Sequence, residues 1–296
     1  MTFLFQMLIS GINLGMIYAL ITIGLVMVFK CSGVFNISHG GIILLGGYLG
    51  WSLLTQLNLP LWLSFLIAIL IAVILGISIQ HIALRPIIGR PVLIVVMMTI
   101  ALLVFIEGLV VLIWKGDYVS YPQIFTVQSI VFKGISISME SVIGTCLSII
   151  VLGLFLLFFQ YSKYGLSMRA AAEDEQVVQS AGINVTVVYR LAWIISSIVA
   201  VIGGMLLGSI SGVMLPMADI GLKALVIAMF GGLESIAGCI VAGLIIGIAE
   251  NLACGYLDPL LPAGGGLANV FPFLVIMILL MLKPSGIFGL ARIERI

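Results

Sequence analysis

Residues 92–114 read VLIVVMMTIALLVFIEGLVVLIW. One charge, Glu107, interrupts an otherwise apolar run. At 1.5 Å per residue, a helix of this length covers about 34 Å, enough to cross about 30 Å of hydrocarbon. Similar runs flank it on both sides: Phe3 to Phe29, Leu61 to Leu84, Val142 to Phe159, Leu191 to Leu215, Ile236 to Ala253 and Leu267 to Leu282. Alternating strands of about ten residues are absent, which argues against a β-barrel.

Composition points the same way. The 296 residues carry 12 Lys and Arg and 11 Asp and Glu, where a soluble chain of this length carries about 74 charges. Hydrophobic residues make up 63%, which sets a ceiling of about nine spans. A soluble enzyme, a DNA-binding domain and a secreted disulfide scaffold are excluded. The net charge of +1 gives no pull toward nucleic acid. Cys31, Cys146, Cys239 and Cys254 are far apart and form no CxxC pair, so they read as small apolar residues within helices. Met1-Thr2-Phe3-Leu4 has neither a basic n-region nor a cleavage site, and reads as the start of a first span. The predicted fold is all-α, a polytopic helical bundle of about eight spans including broken or re-entrant segments. It forms a single transmembrane domain over residues 1–296.

Two stretches are less regular. Residues 33–54 contain Asn36, Ser38, His39 and several glycines; residues 219–232 are short and end in Gly231-Gly232. Backbone that breaks within a membrane must be shielded by protein or line a wet cavity. Paired Gly-interrupted segments point to a transport site, while the plainer reading is tight helix packing through small residues.

Lys and Arg orient the loops. Arg85 and Arg90, then Lys163, Arg169 and Arg190, then Lys283, Arg292 and Arg295, place three regions in the cytoplasm. Residues 115–134 then face outward. Parity requires an even number of crossings after residue 190, and three clear runs lie there. Residues 219–232 must supply a further crossing or half-crossing.

Residues 161–190 form the longest polar stretch, YSKYGLSMRAAAEDEQVVQSAGINVTVVYR. Leu166 to Ala181 favours helix, with Gly182 as its C-cap, or Asp174 starts a separate short helix. Val177, Val178 and Ala181 offer an apolar face beside the acidic Glu173-Asp174-Glu175 cluster. The stretch reads as a solvated loop or as a docking helix that enters a groove on a cytoplasmic partner.

The run GINLGMIYALITIGLVMVFKCSGVFNISHGGIILLGGYL, residues 11–49, resembles the N-terminal signature of branched-chain amino acid ABC permeases. Residues 168–184 resemble that family's cytoplasmic coupling segment, residues 222–250 its late Gly-rich segment, and residues 284–289 (PSGIFG) its C-terminal ending. The four motifs stand in the family order over nearly the whole chain. The short outer loop and small size resemble the first of the two homologous permease subunits. Ile37-Ser38 stands where the family often has Phe-Ala, and Glu107 where an uncharged polar residue is expected. These departures bear on substrate, and urea or short amides remain an alternative cargo.

The resemblance implies a permease subunit of an ATP-driven importer in the inner membrane of a prokaryote. Its implied partners are a second homologous permease, two cytoplasmic ATPases, an extracytoplasmic solute-binding protein and membrane lipid, with no nucleic acid. Coupling to the ATPases would fall on Arg169, Ala171, Glu173, Asp174, Val177, Val178, Gly182, Ile183 and Asn184. Asn36, Ser38, His39, Gly40 and Glu107 would lie near the transport path.

The residues constrain this further. No G-x-x-x-x-G-K-[ST] motif occurs, so ATP and Mg²⁺ are expected on partner ATPases, and no cofactor, metal or catalytic residue on this chain. His39 has no Cys, Asp or second His beside it, and reads as a packing hydrogen-bonder, on one face with Asn36 if the segment is helical. Glu107 faces a cavity, pairs with a cation or serves as a structural acid. Glu250 reads as interfacial, Asp219 and Lys223 as a local i,i+4 pair, and His81 as an interface residue beside Arg85. A stand-alone secondary transporter or channel is the alternative, although it gives the acidic cytoplasmic helix no use.

Overall fold

The computed structural model describes residues 2–87, 89–122, 129–132, 135–260, 266–283 and 286–289; the side chains of 129–136 and 175–177 lie outside that description. The helices are α1 (Thr2–Ser32), α2 (His39–Trp51), α3 (Leu61–Ser78), α4 (Val92–Trp114), α5 (Met139–Tyr161) and α6 (Lys163–Glu173). They continue with α7 (Glu175–Ser180), α8 (Val185–Ser211), α9 (Ile220–Gly231), α10 (Ile236–Leu252) and α11 (Leu267–Leu282). Strands β1 (Ser129–Phe132) and β2 (Ile135–Ser138) form an antiparallel hairpin before α5, an addition to the all-α expectation. Ile-Ser-Ile-Ser alternates in polarity and Ser-Ile-Val-Phe does not, and four residues per strand are too few to register as a periodic signal.

Among the described residues, six helices are long and apolar enough to cross a membrane: Thr2–Ser32, Leu61–Ile87, Val92–Trp114, Met139–Tyr161, Val185–Ser211 and Ile236–Leu260. Three apolar helices are shorter. α9 has 12 residues and spans about 18 Å, α2 has 13 and spans about 20 Å, and α11 has 16. The first two are the stretches singled out as broken, and each is preceded by non-α backbone: residues 33–38 before α2 and a 3₁₀ turn, Leu215–Asp219, before α9.

The chain divides into two compact units. Unit 2 comprises residues 27–123 and 150–222. At its centre lies α2, with nearly every residue buried against α8, α4 and the 3₁₀ turn. The approach of α2 to α8 is close because a Cβ on Gly46 would fall 2.6 Å from the Val201 Cα, and one on Gly204 would strike the Ile43 carbonyl. α3 shows how the sequence sorts its faces: Ser64, Ala68, Ala72 and Gly76 are buried, while Leu66, Leu70 and Ile74 are exposed. Lipid gives large apolar side chains no reason to turn inward, so small residues take the packed face and Gly76 meets the Ile194 backbone of α8.

Unit 1 comprises residues 1–26, 124–149 and 223–296. Here α1 and α10 meet backbone to backbone, with Gly15 facing Leu244. The Thr145 hydroxyl of α5 donates to Asn13 Oδ1 of α1 at 2.8 Å. Asp258 Oδ1 accepts from the Leu267 and Ala268 amides and caps the start of α11. Residues 284–285 of the C-terminal motif lie outside the description; beyond them the Ile287 and Phe288 amides donate to the Phe230 and Gly231 carbonyls, tying the motif to the end of α9.

Candidate functional site

The break before α2 is a turn, so Asn36 and His39 do not share a helical face; the backbone of residues 34–38 leaves the helix, and α2 begins at His39. Asn36, Ser38 and His39 are all buried. The Ser38 hydroxyl donates to Asn36 Oδ1 at 2.6 Å, and His39 Nδ1 lies 3.2 Å from the Ser196 hydroxyl of α8. Asn36 Nδ2 has no partner among the described residues. The Thr99 hydroxyl of α4 reaches the Phe35 carbonyl at 3.3 Å. Gly40 lets the Ala218 carbonyl approach where a Cβ would collide with it. Four of the five residues expected near the path therefore lie together inside unit 2, where Asn36 pairs with Ser38, His39 meets Ser196, which the sequence did not mark, and Gly40 meets Ala218.

Glu107 lies apart from these four, half-buried near the middle of α4. No cation stands within ion-pair distance of it among the described residues. The charged group in electrostatic range is another acid, Asp219 of the 3₁₀ turn.

A buried charge pair lies elsewhere, and it corrects one expectation. Lys223 Nζ donates to Glu250 Oε1 at 2.6 Å and to Asn269 Oδ1 at 3.2 Å. Both charged side chains are 10% exposed, so Glu250 is held inside the protein by a partner on another helix. Asp219 does not form the expected local pair with Lys223, because it belongs to the 3₁₀ turn that precedes α9 and the i,i+4 helical spacing is not realised. Tyr18 of α1 lies beside Glu250. A carboxylate and an ammonium 27 residues apart on different helices carry no local sequence signal. The only available hint was a lone Lys and a lone Glu within apolar segments, which lipid tolerates when they pair.

The cytoplasmic segment folds as two helices, with the break at Asp174, whose backbone is extended (φ −154°, ψ 109°). This is the second of the two alternatives; a continuous helix through Arg169–Ala181 is not formed. Ser162 caps α6 by accepting from the Gly165 amide, and Asn184 caps α8 by accepting from the Thr186 amide. Gly182 adopts φ +81° and ends α7, as a C-cap glycine does.

The face expected to dock differs from the face that the segment exposes. Val178 is 4% exposed and, with Met168 and Ala171, packs inside unit 2, so it is not offered to a partner. The side chain of Val177 lies outside the described residues. The valine is drawn inward because the bend at Asp174 rotates α7 relative to α6. Arg169 donates to the Phe159 carbonyl of α5 and stands over the Phe159 ring, 5.5 Å from its centroid. It anchors α6 to the end of α5. Glu173, Asp174, Ala181, Gly182 and Asn184 are exposed, and Ile183 is half-buried. What the segment presents outward is an acidic, polar elbow.

Such an arrangement, a polar elbow anchored to two long apolar helices, can pass a displacement into the bundle. No group of three or more His, Cys, Asp or Glu that could hold a metal ion occurs among the described residues. Comparison with known proteins gives the chain a family. Residues 7–281 match the family described as "Branched-chain amino acid transport system / permease component". The chain is 32% identical to the high-affinity branched-chain amino acid transport system permease protein LivH of Salmonella typhimurium, over 98% of this chain and 97% of that one. It is 28% identical to the corresponding protein BraD of Pseudomonas aeruginosa, with the same coverage. A chain in the solved structure of PsaBC from Streptococcus pneumoniae in complex with Fab shares the fold, with a TM-score of 0.52 at 15% identity over 97% of this chain and 94% of that one. The polytopic helical architecture and the match along nearly the whole length agree, and the chain belongs to the branched-chain amino acid transport permease family.

Proposed function

We propose that this chain is the membrane-spanning permease subunit of an ATP-driven importer of branched-chain amino acids in a prokaryotic inner membrane. A second homologous permease completes the translocation pathway, and an extracytoplasmic solute-binding protein delivers the cargo. Two cytoplasmic ATPases bind ATP and Mg²⁺, since this chain has no P-loop. The substrate class is that of the relatives' names, and the match over nearly the whole chain supports carrying it over.

The observation that carries the coupling role is the α6–α7 elbow. Its outer edge is exposed and acidic, while Met168, Ala171 and Val178 fix its inner edge in unit 2. Arg169 ties it to α5, and Asn184 leads directly into α8. Movement of the docked ATPases then pushes on α5 and α8 together. Helix α8 in turn holds α2 through Gly204, Gly46 and the His39–Ser196 contact. The broken segment therefore stands at the end of a continuous chain of contacts from the elbow.

Reconstitution tests this reading. Co-expression with the neighbouring transporter genes should yield a complex with two ATPase chains, and proteoliposomes should take up leucine, isoleucine or valine only with ATP and the solute-binding protein. Glu173→Arg should leave the chain in the membrane and lower ATPase recovery or coupled uptake at least several-fold. Autonomous ion-driven uptake by this chain would replace the proposal with a secondary transporter.

A further inference from the structure

Unit 2 encloses a cavity of about 330 Å³ at the end that carries Arg85 and Arg90. Its lining comes from the end of α1, the π-helical turn Ile79–Leu84 after α3, the start of α4 and the first turns of α8. The volume is at the small end of the range for small-molecule sites, about 300–1,000 Å³.

One lining residue is out of place unless something joins it. Gln80 is 1% exposed, and neither its Nε2 nor its Oε1 has a hydrogen-bond partner among the described residues. A buried primary amide needs hydrogen-bond partners, and a polar occupant of the cavity it lines supplies them. Gln80 lies in the π-helical turn, a backbone form that recurs at functional sites.

The rest of the lining narrows the chemistry. Gln80 offers one acceptor and two donor hydrogens within a single group. Arg90 stands at the rim as an exposed cation. Leu84, Val95 and Trp193 give the cavity an apolar wall. An anion, a hydrogen-bond donor such as an ammonium and an aliphatic body within a small volume meet all three.

We infer that this cavity is a binding site for a free aliphatic α-amino acid, approached from the face on which Arg90 lies. The carboxylate is set toward Arg90 and the Gln80 amide hydrogens, the ammonium donates to Gln80 Oε1, and the side chain lies on Leu84, Val95 and Trp193. The inference deepens the transport reading and rests on it for the choice of amino acid as probe. If the positive charges face the cytoplasm, the site lies on the product side of the membrane.

The test uses the full chain in its assembled transporter, in phosphatidylcholine nanodiscs, without the solute-binding protein. Radiolabelled L-leucine should bind saturably. Gln80→Leu should weaken binding at least tenfold while leaving the thermal transition at or above wild type, because it removes an unpaired buried amide. Arg90→Ala, on an exposed bend, should weaken binding at least threefold without affecting assembly. Isovalerate, which lacks the ammonium, should compete at least tenfold less well than leucine. Binding that is absent, or equal in wild type and Gln80→Leu, overturns the site, as does a co-purifying phospholipid that is lost in Gln80→Leu without any leucine binding. ATP-dependent leucine uptake with the solute-binding protein is measured in parallel. Failure of wild-type uptake counts against the transport reading alone, while loss of Gln80-dependent binding counts against this site alone.

Discussion

Lys223 and Glu250 in unit 1, and His39 and Ser196 in unit 2, are polar pairs brought together from distant parts of the sequence, 27 and 157 residues apart. Both lie in apolar surroundings, and they differ in charge. The first is an ammonium–carboxylate pair at 2.6 Å, with Asn269 as an extra partner. The second is an imidazole and a hydroxyl at 3.2 Å, close to the neutral Asn36–Ser38 contact. Removing one member of a buried charge pair strands the other, whereas removing the Ser196 hydroxyl takes away a single hydrogen bond. Helices in both units meet backbone to backbone at glycines. Unit 1 adds to that packing a contact that fails abruptly, and unit 2 adds weaker polar links.

Breaking the charge pair should give the largest effect. Lys223→Met leaves Glu250 buried without its cation and should cost about 3–5 kcal/mol. Ser196→Ala should cost about 1 kcal/mol. Thermal transitions in detergent should rank the two in that order. The double variant Lys223→Met, Glu250→Leu should recover most of the loss, because it removes both charges rather than one. Equal destabilisation by Lys223→Met and Ser196→Ala would remove the distinction drawn between the units.

The next effect probes the backbone packing of unit 2. A Cβ on Gly204 meets the Ile43 carbonyl, so Gly204→Ala forces α8 and α2 apart. The cost should be about 1–3 kcal/mol, in the range of overpacked cores. Gly153 of α5 has open space around an added Cβ, and Gly153→Ala should be neutral or stabilise by about 0.5–1 kcal/mol through helix propensity. Yield and thermal stability of the two variants check the contrast. Similar behaviour would mean that α2 and α8 can separate without cost.

How much of this was legible depended on whether the signal was local. The apolar runs matched Val92–Trp114 and Leu267–Leu282 to the residue, because a span is encoded by its own side chains, while the run from Leu191 to Leu215 missed the start of α8 by six residues because polar Thr186, Tyr189 and Arg190 open that helix. The break before α2 was visible as Asn36, Ser38 and neighbouring glycines in an apolar context. Gly182 was legible as a cap for the same reason. The Lys223–Glu250 pair was not, since pairing between helices leaves no periodic trace and a nearer Asp219 offered a false partner. The bend at Asp174 stood only as an alternative, because Ala170 to Ala172 before it and a stretch free of Gly and Pro after it favour a continuous helix. Its consequence, the burial of Val178 within the chain, reversed the expected docking face. Gln80 passed unnoticed because one glutamine among apolar residues resembles the end of a span.

A smaller effect sharpens the picture of the elbow. Gly182 sits at φ +81° with open space around it, so Gly182→Val meets backbone strain and no clash. The cost should be about 1–2 kcal/mol, confined to the end of α7. Membrane insertion should be normal, and the loss should appear in ATPase recovery or in coupled uptake. Wild-type transport by Gly182→Val and Glu173→Arg together would detach the elbow from coupling.

The smallest effect concerns a neutral bond at the other end of unit 2. Tyr121 lies in the loop after α4, and its hydroxyl donates to the Gly47 carbonyl of α2 at 2.7 Å. Tyr121→Phe removes that bond while keeping the ring in place, and should cost about 1 kcal/mol at neutral pH. Burial also pushes the phenol well above its ordinary value of about 10, because the anion would lose its hydration. The folded chain therefore keeps this proton at a pH where the unfolded chain has released it. Stability contributed by the group is complete below about pH 10 and falls as the pH rises beyond it. Chemical denaturation at pH 7 and at about pH 10.5 checks both halves of this: wild type should lose stability between the two conditions, and Tyr121→Phe should lose less. If the variant matched wild type at both, the Tyr121–Gly47 bond would contribute nothing to holding α2, and its placement would rest on glycine packing alone.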